Sequence, residues 1–270
     1  MRPAEPGHDP SPGRSGMPVG DLPTHGPPTT DLATPSVALA IGAHPDDVEF
    51  GAGATLAKWA AAGCRVHHLV LTDGSKGTWD PAADLAALVA TRQREQRDAA
   101  RVLGGGDVTF LGYPDGALAS GEQERRAVCE VIRRVRPDVV LGHDPWRRYR
   151  LHPDHRHAGW LTTDGIVAAR DPTFFPDLDA PAHRPGALLL WEADEANHVE
   201  DAGAFVDAKW RALLAHVSQY RSTMGVDAAA ADGGAGALAD LRRRLELQLA
   251  AHGALAGLAH GEAFRLVDDL

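Results

Sequence analysis

The stretch AHPDDVEFG, residues 43–51, sets a histidine, two aspartates and a glutamate behind the apolar run VALAIG, and HPD recurs in RLHPDHRHAG, residues 150–159. Imidazole nitrogens and carboxylate oxygens are the donors of catalytic zinc, which takes three protein ligands and keeps a fourth position for water. In either HPDx stretch the first and fourth residues point the same way if the segment opens a helix. His44 pairs in this way with Asp47, and His152 with His155. These four donors are one more than an open site needs, and spacing does not choose among them. Asp46 is left beside them, placed to take a proton from a water whose pKa the metal lowers to about 7. A lone HPD is also a common turn with a helix-capping aspartate. Two such clusters at strand ends favour the metal reading.

The clusters work together only if the fold carries both to one place. SVALAIG reads as a buried strand, GATLAKWAAAG (residues 53–63) as a helix closed by Gly63, and RVHHLVLTDG as a second strand. A helix over DPAADLAALVATRQREQRDAARVLGG, the strand VTFLG, a helix over SGEQERRAVCEVIRRVRP and the strand DVVLGHD follow. This order predicts an α/β, Rossmann-like fold with a mostly parallel sheet flanked by helices on both faces. Ligands of such sheets bind outside the carboxyl ends of the strands. HPDD, TDGSKG, YPDG and HDPWRRYRLHPDH would then share one rim. Farther on, WLTTDGIVAAR and FVDAKWRALLAHVSQY read as helices and GALLLWEAD as a strand, before a last helix and AFRLV as an added edge strand.

The 270 residues are enough for one domain, expected over residues 36–270. Residues 1–35, rich in Pro and Gly, read as a disordered leader. With 27 Lys plus Arg against 37 Asp plus Glu, the net charge of −10 argues against nucleic acid and anionic membranes as partners and leaves a small molecule. No uninterrupted apolar run of about 18 residues is present, so no stable membrane insertion is expected. Cys64 and Cys129 lack CxxC spacing, which fits a reducing cytoplasm and neither a disulfide framework nor a thiolate zinc site. Heavy use of Ala, Gly and Arg points to a GC-rich bacterial source. No GxSxG elbow suggests an acyl-enzyme.

In this order the motifs AHPDD, TDGSKG, RQREQRDAARVLG, FLGYPDG and HPDH resemble the PIG-L or LmbE-like zinc-dependent N-deacetylases, over roughly residues 37–225. The resemblance implies one Zn2+ per chain held by His44, Asp47 and His155, with Asp46 as general base. It makes His152 the group that stabilises the tetrahedral oxyanion or protonates the leaving amine. Arg92, with Glu95 as companion, would reach the substrate sugar. Asp73 in TDGSKG and Asp115 in YPDG would border the site, and HVSQ resembles a distal HxSQ element that brings His216 near the pocket, with Ser218 and Gln219 set to bond sugar hydroxyls or support the zinc shell. Beside HPDH, the basic and aromatic run of Trp146, Arg147, Arg148 and Arg150 suits a sugar ring, a phosphate or a carboxylate. The reaction implied is hydrolysis of the N-acetyl amide of an N-acetylglucosamine-type conjugate, releasing acetate and the free amino sugar. Family members are often multimeric, so a homo-oligomer is allowed. The alternatives are an amidase or deacylase on another acylated amine such as a natural-product intermediate, an Fe(II) oxygenase on the same triad, and a non-catalytic Rossmann-like sugar-binding module. An oxygenase has no need of a base at Asp46, and a binding module predicts a GxGxxG turn that AHPDDVEFGAG replaces.

Overall fold

In the computed structural model, residues 26–227, 230 and 233–270 are described. The run VALAIG forms β2 (Val37–Gly42), buried along its whole length. Successive side chains of a strand point to opposite faces. Leu39 and Ile41 accordingly enter one core, and Ala38 and Ala40 the other. Flanking β2 in parallel are β3 (Arg65–Thr72) and β5 (Val139–His143), with Ile41 opposite Leu69 on one side and Gly142 on the other. β4 (Val108–Tyr113) extends the sheet beyond β3, and β6 (Ala187–Trp191) extends it beyond β5. Between β2 and β5 the chain's progression reverses direction, which opens a crevice at their carboxyl ends.

Helices cover both faces, as expected. α1 (Asp47–Ala61), α2 (Leu85–Val102) and α5 (Val206–Leu214) pack on the Ala38 and Ala40 side. α3 (Glu122–Val135) and α4 (Pro153–Arg170) pack on the other. α6 (Ala235–Ala254) lies outside α1 and α5, through Leu245 and Leu249. Two helices start earlier than periodicity suggests, because the polar motifs themselves open them. Asp47 is the first residue of α1, and His152 is the N-cap of α4 with Pro153 behind it, where a missing N–H costs nothing.

The far side of the sheet departs from expectation. β8 (Gly261–Val267), predicted as an edge, inserts antiparallel between β6 and the unforeseen strand β7 (His198–Asp201). The edge is β1 (Thr29–Thr30), parallel to β7. Residues 1–25 of the expected leader lie outside the described residues. Sheet pairing nonetheless begins before the boundary expected at Ser36. The reason is local: buried His198 and Glu200 need partners, and they find Thr29 Oγ1 at 2.8 Å and the Leu32 N–H at 2.8 Å. Among the described residues no helix is long and apolar enough to cross a membrane.

α1 is broken at Ala52, whose φ and ψ of −145° and 17° lie outside the helical region. The bond from the Ala54 N–H to the Phe50 carbonyl that a continuous helix would make is replaced by side chains. Glu262 accepts from the N–H groups of Ala54 and Thr55 at 3.1 and 2.7 Å, while Lys209 Nζ donates to the Phe50 carbonyl at 2.6 Å and to Glu262 at 2.5 Å. Both side chains are buried, so each charge depends on the other. The break turns Phe50 and Gly51 toward the cavity described next.

Candidate metal and catalytic site

The crevice above β2 and β5 opens into a cavity of about 600 Å³. His44 reaches it from the turn after β2, Asp47 from the start of α1, and His155 from the first turn of α4. Their donor atoms lie within 4.8 Å of one another. His44 Nδ1 is 3.2 Å from His155 Nε2 and 3.5 Å from Asp47 Oδ2, and His155 Nε2 is 3.3 Å from Asp47 Oδ1. On its other side His44 Nε2 faces Asp115 Oδ1 at 3.1 Å and Asp154 Oδ2 at 3.2 Å. Two carboxylates there fix the proton on Nε2 and leave the Nδ1 lone pair for the cluster.

Charge follows the same geometry. Burial disfavours a charged His44, yet hydrogen bonds to Asp115, Asp154 and Asp47 outweigh it and raise its pKa well above the ordinary value. The surroundings of this ring favour a cation. Burial drives His155 down to about 3 against the pull of Asp47, so it presents a neutral imidazole. Burial disfavours an ionised Asp47, yet the histidines around it, His155, His143 and His44, outweigh burial and hold its pKa well below the usual carboxylate range. Two imidazoles and a carboxylate facing a cavity form the donor set that a borderline-soft divalent ion accepts.

Two other groupings compete for such an ion and are engaged elsewhere. His143, in a group with His155 and Glu192, accepts from Trp191 Nε1 at its Nδ1 (3.0 Å) and turns Nε2 toward Asp47 Oδ2, 3.1 Å away. Asp154, grouped with His44 and His152, already accepts from the N–H groups of Gly116 and Leu118.

Asp46 sits at the mouth of the cluster with φ 109°, a left-handed conformation rare for any residue but glycine. Several contacts hold it there. Its N–H donates to Gln96 Oε1 at 3.0 Å, and its carbonyl accepts from the Phe50 N–H at 3.1 Å. Arg92 Nη2 donates to the Pro45 carbonyl at 2.6 Å and lies 3.4 Å from Asp46 Oδ2. Burial pushes the Asp46 carboxyl up to about 6, opposed by the Arg92 charge.

Among the residues singled out from sequence, His44, Asp46, Asp47, Arg92, Asp115, Arg150, His152 and His155 all line the cavity. His152 is edge-on to His44 and stacked on His155, with ring centroids 4.7 Å from each. Burial, helped by His44, lowers its pKa, so the ring is neutral. Asp115 keeps one oxygen on His44 and the other on the Lys76 N–H, and is held at about 2 despite burial.

The structure takes the remaining residues out of the cavity. His216 is fully buried behind it, with Nε2 3.3 Å from Glu49 Oε2. The short 3-10 turn Val217–Gln219 rotates His216 inward and presents Gln219 instead. Asp73 accepts from the N–H groups of Ser75 and Asp115 and so ties two loops together, without lining the cavity. Trp146 turns away and meets Trp160 edge-on, with ring centroids 5.2 Å apart. The basic run is neutralised within the fold, Arg147 by Glu192 at 3.2 Å and Arg148 by Asp194 at 2.9 Å. Arg150 also pairs with Glu192 and abuts His155 Nδ1. Glu95 holds the 3-10 turn through the Ser218 N–H and Oγ, and is not a partner of Arg92.

His143 is not singled out by the sequence, whereas Asp154 and Glu49 count there among the available donors without a role of their own. The first is the last residue of β5, where the switch-point rule alone could have flagged it. Asp154 occupies in HPDH the place that Asp46 occupies in HPDD. Glu49 accepts from Gln96 Nε2 at 2.7 Å below Asp46.

Comparison with known proteins adds a second line of support. The family profile described as PIG-L, GlcNAc-PI de-N-acetylase, matches residues 39–166. The diacetylchitobiose deacetylase of Thermococcus kodakarensis is 36% identical over 185 residues, which are 67% of this chain and 69% of that protein. A 1D-myo-inositol 2-acetamido-2-deoxy-alpha-D-glucopyranoside deacetylase of Streptomyces avermitilis is 35% identical over 169 residues, and there the match spans only 57% of the relative's length. The N,N'-diacetylchitobiose deacetylase of Pyrococcus horikoshii, in complex with an inhibitor, superposes with a TM-score of 0.77 at 28% identity, over 87% of this chain and 84% of that one.

Proposed function

This chain belongs to the GlcNAc-PI de-N-acetylase (PIG-L) family, and from that premise we propose that it is a zinc-dependent N-deacetylase that hydrolyses the N-acetyl amide of an N-acetylglucosamine-type glycoside. The observation that carries the proposal is the convergence of His44, Asp47 and His155 at the cavity floor with Asp46 beside them. A bound zinc ion would supply Lewis acidity, acidifying water and polarising the amide carbonyl.

The chain's own groups supply the rest. Ionised Asp46 accepts the proton of the attacking water, and Arg92 and Gln96 hold it in place. His152, on the cavity wall, faces the amide oxygen and stabilises the charge that develops there. The departing amine takes its proton from Asp46. Asp115 and Asp154 hold the His44 ring, and His143 holds the Asp47 carboxylate. Arg150 closes the wall beside the sugar. Buried, unpaired Cys64 and Cys129 support a cytoplasmic setting.

The test is acetate release from a panel of N-acetylglucosaminides by the purified protein, with chelator and then zinc add-back. Chelator-sensitive release restored by zinc is expected. A zinc-loaded protein that releases no acetate from any of them would sink the proposal.

A further inference from the structure

The break in α1 leaves two helical pieces end to end, and one ion pair serves both of the ends that meet. Glu262, from β8, accepts from the Ala54 and Thr55 N–H groups that start the second piece, and Lys209 Nζ, from α5, donates to the Phe50 carbonyl near the end of the first. The backbone groups that a helix end leaves open thus have partners. Lys209 arrives with its stem against Gly53, where a Cβ would stand 3.1 Å from Lys209 Cγ. Both charged side chains are 2% exposed.

Taking two charges out of water opposes folding, and apolar side chains of similar volume fill a core at least as well. What apolar side chains cannot do is bond these three backbone groups. Without the pair, the Ala54 N–H would return to the Phe50 carbonyl and α1 would run on as one helix. The pair selects a backbone shape.

That shape leads back to the metal cluster. Just before the break, Gly51 is seated on the indole of Trp191, so closely that a Cβ would stand 2.6 Å from Trp191 Cγ. Trp191 Nε1 donates to His143 Nδ1 at 3.0 Å, and His143 Nε2 faces Asp47 Oδ2 at 3.1 Å. Asp47 itself stands at the head of the piece that Lys209 holds. We infer that the buried Lys209–Glu262 pair is a positioning device for the metal centre, which keeps α1 broken so that Gly51 stays on Trp191 and the chain from Trp191 through His143 aims Asp47 at His44 and His155. The inference rests on the zinc reading of the site and is independent of which amide is cleaved.

The test removes both charges together, Lys209→Met with Glu262→Leu, and reads zinc affinity by competition with a chromogenic chelator beside the thermal midpoint. The midpoint is expected at or above that of wild type, while the zinc Kd rises about tenfold. In a His143→Ala background the same replacement should change Kd less than twofold, because the route it acts through is gone. Lys209→Met with Glu262→Gln keeps an acceptor for the Ala54 and Thr55 N–H groups and should recover part of the affinity. A Kd within twofold of wild type in the folded, doubly substituted protein overturns the inference, and so does an undiminished effect without His143. If that protein does not fold, Gly51→Ala decides, since it pushes on Trp191 and leaves the pair intact. Zinc binding about tenfold weaker, and not so in the His143→Ala background, upholds the device; an unchanged affinity overturns it. A wild type that takes up no zinc brings down the zinc reading and the inference together, whereas equal zinc affinity in wild type and variants brings down the inference alone.

Discussion

The side-chain amide of Gln96 accepts from the backbone N–H of Asp46 at 3.0 Å, and so pins a left-handed aspartate at the edge of the metal cluster. The amide can face only one way, because its NH₂ group donates to Glu49 Oε1 at 2.7 Å. All three residues are buried, so no water competes for these bonds. A residue held in a sparsely allowed conformation costs on the order of 1–3 kcal/mol, and surrounding contacts must offset it.

Gln96→Leu is therefore expected to lower kcat about tenfold or more while zinc content stays stoichiometric. Gln96→Glu sets two carboxylates face to face and should do worse. The exchanged pair Glu49→Gln with Gln96→Glu restores an acceptor for Asp46 and a donor behind it, and should recover much of the rate. Failure of the exchange to improve on Gln96→Glu would remove the positioning role.

Ligand and base separate by metal content. His44→Ala, Asp47→Ala and His155→Ala are expected to lose zinc in elemental analysis of the purified proteins. Asp46→Asn should keep zinc and lose about 10²–10⁴-fold in kcat, the usual contribution of a general base. Equal zinc loss in Asp46→Asn would show that base and ligand have been exchanged.

The pH profile has a predicted sign. Burial holds the Asp46 carboxyl at about 6, and only its ionised form accepts a proton. As pH falls through that value the carboxylate is lost, so kcat/KM should drop about tenfold per unit on the acid side. The positive charge of a bound ion moves this limb downward, to 6 or below. A rate that rises on acidification across this range contradicts the assignment.

His143 offers a test outside the ligand set. It faces Asp47 at 3.1 Å and stacks on His155 with ring centroids 4.4 Å apart. His143→Ala should weaken zinc affinity about 10–100-fold, the range typical of groups that orient metal ligands. Competition with a chromogenic chelator reads this directly, and an unchanged affinity would leave His143 a packing residue only.

Much of this site was legible because its donors sit in two local motifs, and the β-α alternation dictates that both reach one rim. What was not legible depends on orientation. HVSQ carries four adjacent letters, yet the 3-10 turn decides that Gln219 meets the cavity and His216 does not. Trp146 neighbours HPDH in sequence, but Trp160, on the next turns of α4, draws its ring away. His143 reads as an ordinary strand-end histidine until β5 is known to lie beside β2. β7 was missed because His198 and Glu200, buried together 3.0 Å apart, give its four residues the polarity of a loop.

The insertion of β8 into the sheet also sets an order of events as the chain leaves the ribosome. β6 can pair with β5 at once, but its other edge stays open until residues 261–267 emerge, and β7 with β1 has no sheet to join before then. The same late strand delivers Glu262 to the break in α1. Until that strand is made, the nascent chain carries its metal-binding motifs without the Glu262 bonds that hold Phe50 and Gly51 against the cavity.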